Sequence, residues 1–257
     1  MDHLRGNVAV VTGSSAGIGE ALAIKLVKAG LIVVGIARRI HRLQVLQKKM
    51  EDNNFSGQFH PLECDLTNEN DIFKAFKWID ENIGGIHFLI NNAGIVRFSP
   101  ILSGCSNDWK EIIDCNVLAP TICSREAYRL MKKYKITRGH IIQINSLTGH
   151  SYSVNPGNKM YNASKQALRV LTEGLRHELA AAGDDHIKAS SISPGFVDTE
   201  IFEAAKIPHV KLNSSVTLSS EEMADMIVFV MSTGSNILIA EMIVLSQGRT
   251  IQTYKTS

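Results

Sequence analysis

The chain has 257 residues, 44% apolar and 20% charged, a composition that fits a folded globular protein and excludes a disordered one. Its formal net charge of +2, with Lys and Arg spread along the sequence, argues against nucleic acid as a partner. No apolar run is long enough to span a bilayer, and Met1–Gly6 lacks a signal-peptide core, so a cytoplasmic location is expected.

Short β-branched runs alternate with helical patterns. Val8–Val11 reads as a first strand and Gly17–Ala29 as a helix with Ile18, Leu22, Leu26 and Ala29 on one apolar stripe. Thr12-Gly13-Ser14-Ser15-Ala16-Gly17-Ile18-Gly19 joins them. Glycines there allow a tight turn and close approach of a pyrophosphate, and the helix start offers amides and a positive dipole end. A plain strand–helix turn is the competing reading. Position after the first strand favours a nucleotide on Gly13, Ser14, Ser15, Gly17, Ile18 and Gly19.

Ile32–Ile36 is the next predicted strand, and it runs into Ala37-Arg38-Arg39. An acid at this point would bind a ribose 2′-hydroxyl. Two guanidinium groups instead suit a 2′-phosphate, so Arg38 and Arg39 point to NADP(H) over NAD(H). A helix over Ile40–Asp52 follows, then a strand over Gln58–Cys64 and the pair Asp65-Leu66. Asp65 could accept from an adenine amino group or cap the helix at Glu69–Glu81; Leu66 is assigned to the same site. A strand over His87–Asn91 leads to Asn92-Ala93-Gly94. Small residues there would let a ribose and nicotinamide pass Asn92 and Gly94 closely, unless the stretch is only a polar turn.

One long helix is predicted over Asn107–Lys133, a strand over His140–Asn145 and a second long helix over Asn158–Ala182. A strand at Lys188–Ser193 ends in Pro194-Gly195. The segment 200–218 is irregular, either a flap over a substrate or a long surface connection. Ser219 and Glu222 form a capping-box signal for a helix to Ser232. A last strand is expected at Ile239–Leu245, with a frayed tail after Gly248. Apolar strands joined by helices call for a doubly wound parallel sheet, here seven strands with helices on both faces in a single domain over 1–257.

Tyr161 and Lys165 lie four residues apart and share a face of the second long helix. A tyrosine hydroxyl loses its proton near pH ~10. A neighbouring ammonium would lower that value and fit the phenol for proton transfer to a substrate oxygen. Tyr128 and Lys132 repeat the interval; there a solvated helix face is the preferred reading. Cys64, Cys105, Cys115 and Cys123 show no metal-ligand spacing and read as buried or semi-buried thiols. No metal is expected. The glycosylation-type triplets at Asn162 and Asn213 are open to chance, and the first lies inside the proposed active helix.

With these motifs in place, the chain resembles the short-chain dehydrogenase/reductase family over almost its whole length. The carriers are Thr12–Gly19, Asn91–Gly94, Ser146-Leu147-Thr148-Gly149, Tyr161 to Lys165, and Pro194-Gly195 with Thr199. Ala37-Arg38-Arg39, Asn145-Ser146, Thr172–Arg176 and Ile192–Gly195 are further similar to the subgroup holding dehydrogenase/reductase family member eleven and insect NADP-dependent farnesol dehydrogenases. The resemblance implies Tyr161 as general acid/base and Lys165 as its activator and ribose anchor. It implies Ser146 as partner of the reacting oxygen and Asn116 as positioner of a relay water. Pro194, Gly195, Val197 and Thr199 would cradle the nicotinamide. One departure is Asn145, where many relatives carry a serine.

The resulting expectation is hydride transfer between NADP(H) and a lipophilic alcohol or carbonyl, such as farnesol or a steroid. Leu147, Tyr152, Met160, Phe196 and Phe202 could form its apolar wall, or simply core. The competing readings are an NAD-dependent enzyme of the same family and a nucleotide-binding regulator without turnover. By resemblance, a homodimer or homotetramer is expected through the two long helices.

Overall fold

The computed structural model describes residues 2–151, 156–201, 205 and 217–247. Seven strands form one parallel sheet in the order β3-β2-β1-β4-β5-β6-β7. They are β1 (Val8–Thr12), β2 (Ile32–Ala37), β3 (Gln58–Glu63), β4 (Phe88–Asn91), β5 (Gly139–Ile144), β6 (Ile187–Pro194) and β7 (Glu241–Val244). The helices are α1 (Gly17–Lys28), α2 (Ile40–Asp52), α3 (Glu69–Asn82), α4 (Ser106–Ile113), α5 (Ala119–Lys133), α6 (Lys159–Ala181) and α7 (Ser220–Ser232).

Alternation along the strands sorts the core onto two faces. Ala9, Val11, Ile90, Ile142 and Ile192 pack with Leu22 and Leu26 of α1, Leu43 of α2 and Ile227 of α7. Val10, Val34, Leu89 and Ile141 face the other way, onto Phe76 of α3 and Leu130 of α5. β1, β2 and β4 read as near-continuous apolar runs and stand out in the sequence, whereas the buried β6 carries Lys188 and three serines. The strand order reverses between β1 and β4, and such a switch point opens a crevice at the carboxyl ends of the strands.

The helix expected at Asn107–Lys133 is broken. A π-helical turn at Asp114–Leu118 separates α4 from α5. Pro120 explains the break: it has no N–H to return to the Asn116 carbonyl in an α-helical register. Single π-turns of this kind are frequent at functional positions. The capping box of α7 is present as expected, with Glu222 N donating to Ser219 Oγ at 3.1 Å and Ser219 N to Glu222 Oε2 at 2.7 Å. Leu218 pairs with Val197 in an isolated bridge. Most of the segment 200–218, the tail after Gly248, and Tyr152, Phe202 and Asn213 lie outside the described residues.

Candidate active site

A cleft of about 430 Å³ opens along the carboxyl ends of the strands. At one end it is lined by Gly13, Ser15, Gly17, Ile18, Arg38, Arg39, Asp65 and Leu66, and at the other by Asn92, Gly94, Ser146, Tyr161, Lys165, Pro194, Gly195, Val197 and Thr199. Residues far apart in sequence therefore share one cavity.

The glycine turn is built around close approach. Gly17 has φ +58°, and a Cβ there would stand 3.0 Å from Thr199 Cγ2, so the turn and the chain after β6 touch. A Cβ on Gly19 would fall 2.5 Å from Asn92 Nδ2 and 2.5 Å from Gly13 O. Asn92 is drawn in because its Nδ2 donates to Thr12 O at 2.9 Å, while Thr12 Oγ1 accepts from the amides of Asn92 and Ala93, each at 3.0 Å. No side chain caps α1 at Ala16, which leaves its first amides to an anion. Gly19 does not line the cleft, and neither does Ser14. It is fully buried, its N–H is directed to Ile36 O at 3.4 Å, and its Oγ faces the position a Gly35 Cβ would take. Its side chain does not line the cleft.

Asp65 is not a helix cap. Its Oδ1 accepts from Thr67 N at 3.0 Å and Thr67 Oγ1 at 2.9 Å, and Asn68 caps α3 instead. Arg39 donates to Ser15 Oγ through Nε at 3.3 Å and Nη2 at 3.2 Å. Arg38 makes no hydrogen bond or ion pair among the described residues.

At the other end, Ser146 closes β5 and caps a short 3-10 turn, accepting from Thr148 N at 3.2 Å and Thr148 Oγ1 at 3.1 Å. Its hydroxyl also bonds the Tyr161 phenol. Lys165 is buried and donates from Nζ to Ile144 O at 2.9 Å. An ammonium has three donors, so two remain. A Cβ on Gly94 would stand 3.6 Å from that Nζ and 3.4 Å from Asn116 Oδ1, so bare backbone keeps the space over Lys165 open.

The electrostatics differ from the sequence expectation in one respect. Burial raises the Tyr161 pKa above its ordinary value, and only the Ser146 hydrogen bond acts against this. The Lys165 ammonium lies 5.9 Å from the ring centroid and is itself destabilised by burial, its pKa pushed down to about 8. Two buried groups each disfavour their charged form, and spacing on a helix cannot reveal that.

Asn116 does not line the cleft. Its Oδ1 accepts from Ile95 N at 2.8 Å, and its Nδ2 donates to Ile95 O at 2.8 Å and Ser164 Oγ at 3.1 Å. The Asn116 amide is thus engaged, and Pro120 has no N–H to give the Asn116 carbonyl four residues back. Ser164, which no motif singled out, links this turn to α6 by accepting from Asn116 Nδ2, and its own hydroxyl donates to Tyr161 O within α6 at 2.7 Å. Arg42 and Glu200 were likewise missed; their signal was an arginine one helical turn past Arg38-Arg39 and an acid just after Thr199. Asn145 is buried beside the catalytic candidates with neither amide atom paired.

Tyr128 and Lys132 behave as a structural pair. Tyr128 Oη donates to Asp184 Oδ2 at 2.6 Å, and Lys132 Nζ donates to Asp184 Oδ1. Leu147 and Phe196 line the cleft, whereas Met160 does not. Asn162 is buried within α6. Cys105 is exposed, contrary to expectation, while the other three cysteines are buried.

The family model described as short chain dehydrogenase matches residues 7–208. The chain belongs to the short-chain dehydrogenase family. Among its relatives, Aedes aegypti farnesol dehydrogenase is 39% identical over 249 residues, spanning 96% of this chain and 99% of the relative. Human dehydrogenase/reductase SDR family member 11 is 39% identical over 249 residues, spanning 94% of each. A metagenomic short-chain oxidoreductase solved in complex with NADP superposes with a TM-score of 0.78 at 28% identity, over 95% of this chain and 98% of that one. As a short-chain dehydrogenase, the chain places the family's motifs around a single crevice at the β1/β4 switch point.

The glycine turn yields a test. Gly19→Ala must push Asn92 or the Gly13 carbonyl aside, and overpacking of this kind costs about 1–3 kcal/mol. Thermal unfolding should register a loss in that range. An unchanged midpoint would show that the turn is not tightly packed.

Proposed function

We propose that this short-chain dehydrogenase is an NADP(H)-dependent oxidoreductase acting on a lipophilic alcohol or carbonyl of the isoprenoid or steroid class. The observation that carries the reading is the convergence of Ser146, Tyr161 and Lys165 on one end of a cleft whose other end holds Arg38 and Arg39. A bound nicotinamide cofactor would supply or accept the hydride. Gly13, Ser15 and the amides at Gly17, Ile18 and Gly19 would hold its pyrophosphate. Arg38 and Arg39 would read the 2′-phosphate, and Asp65 and Leu66 would flank the adenine. Asn92, Gly94, Pro194, Gly195, Val197 and Thr199 would frame the nicotinamide end.

The chain's own chemistry is proton transfer. Tyr161 donates its proton to the substrate oxygen in reduction and takes it back in oxidation. Ser146 holds the same oxygen, so developing charge meets prearranged donors. Lys165 binds ribose hydroxyls with its two remaining donors, and the carbonyl of Asn116 holds a water behind it for proton exchange. Similarity to a farnesol dehydrogenase supports an isoprenoid substrate, and the apolar side chains of Leu147 and Phe196 in the cleft support a lipophilic one. Self-association through α5 and α6 belongs to the same reading.

The phenol test is direct. In Tyr161→Phe, kcat with farnesol and NADP+ should fall by about 10²–10⁴, the usual share of general acid–base catalysis, while NADPH affinity stays within about twofold of wild type. Retained turnover would remove Tyr161 from the mechanism.

Lys165 gives a proton-linkage test. Its pKa lies near 8 instead of 10.5, so around pH 8.5 much of it is neutral. Ligand hydroxyls that accept from Nζ favour the ammonium, so binding should take up a proton. Calorimetry of NADP+ binding at pH ~8.5 in two buffers of unlike ionisation enthalpy should give net uptake of up to about one proton. The Tyr161→Phe background silences the phenol. Uptake should vanish when Lys165→Met is added. No uptake in Tyr161→Phe would contradict the ribose-anchor role.

A further inference from the structure

Glu200 sits where the two ends of the cleft meet. It follows Thr199 directly and lines the same cavity. Its carboxylate is clasped by arginines that follow β2. Arg42 Nη1 donates to Oε1 at 2.7 Å and to Oε2 at 2.9 Å, and Arg39 Nη1 donates to Oε2 at 2.9 Å. The two guanidinium groups, Arg42 first, hold the Glu200 carboxyl below the usual carboxylate range. A carboxylate between two guanidiniums shares with a phosphate monoester its charge sign and a pair of oxygens that fit a guanidinium fork. Arg39 is thus already paired in the protein, on one side with Ser15 and on the other with Glu200.

We propose that Glu200 is a specificity-determining residue that competes internally with the cofactor's 2′-phosphate for Arg39 and Arg42. The inference rests on the NADP(H) reading above. A 2′-phosphate entering this corner meets a resident anion of like charge and must displace it from Arg39. A nucleotide with a free 2′-hydroxyl makes no such demand. Glu200 therefore lowers the affinity for phosphorylated cofactor and narrows the gap between NADP(H) and NAD(H). Because all three side chains are about half exposed, with relative accessibilities of 40–47%, the effect is modest. Exposed ion pairs are worth roughly 0.2–1 kcal/mol, so removing the competitor should tighten binding by up to about fivefold.

The experiment compares 2′,5′-ADP with 5′-AMP, which differ by the 2′-phosphate, in titration calorimetry of the full chain. Glu200→Gln keeps the shape and removes the charge. It should tighten 2′,5′-ADP by about two- to fivefold and leave 5′-AMP unchanged. The gain should disappear in an Arg39→Met, Arg42→Met background, which a merely structural role of Glu200 would not predict. Weaker or unchanged 2′,5′-ADP binding in Glu200→Gln would overturn the competition and make Glu200 a positioner of the arginines. Equal tightening of both nucleotides would overturn it as well. If the wild-type chain binds 2′,5′-ADP no better than 5′-AMP while Glu200→Gln still restores a preference, the inference stands and only the wild-type cofactor choice is revised. No preference in either chain would overturn both.

Discussion

A buried ammonium dominates the chemistry of this cleft. Charge is expensive to bury unless it is paired and hydrogen-bonded, yet Lys165 sits inside the protein with one carbonyl, that of Ile144, as its described hydrogen-bond partner. The neighbouring phenol is also pushed toward its neutral form. The neutral phenol is the form that donates a proton in reduction, whereas oxidation needs the phenolate. A ligand whose hydroxyls accept from Nζ would stabilise the cation, and a full cation next to the phenol would then favour the phenolate. On this account the helix provides the geometry and the bound nucleotide completes the electrostatics.

The rest of the architecture fixes that ammonium in place. β5 supplies the Ile144 carbonyl and leads into Ser146; α6 supplies Tyr161 and Lys165. The π-turn turns Asn116 inward to bind both polar groups of Ile95 and the Ser164 hydroxyl on α6. Across the crevice, Thr12 and Asn92 lock the glycine turn to the end of β4. Side chain–backbone bonds thus tie the ends of β1 and β4 together at the switch point.

Much of this was readable in the amino-acid order, for physical reasons. β1, β2 and β4 are near-continuous apolar runs, and all seven strands were located with ends shifted by few residues. The Ser219/Glu222 box marked its helix because capping is local. What failed was non-local. The break before α5 depends on Pro120 withholding one N–H and on Asn116 finding Ile95. The direction of the Tyr161 shift depends on burial, which no interval encodes. Ser14 looked like its neighbours in the motif, yet its side chain faces Gly35 because β2 runs alongside. The Glu200 clasp joins residues 158 and 161 positions apart, beyond the reach of any periodicity. Tyr128 and Lys132 show the converse: the same interval as Tyr161 and Lys165, occupied with Asp184 far from the cleft.

A crystal structure of the chain soaked with NADP+ tests the central claim most directly. The account predicts ribose oxygens within hydrogen-bond distance of Lys165 Nζ, and the reactive edge of the nicotinamide sharing one open space with the Tyr161 and Ser146 hydroxyls. A nicotinamide bound away from Lys165, or a Tyr161 hydroxyl separated from it by packed protein, would contradict it.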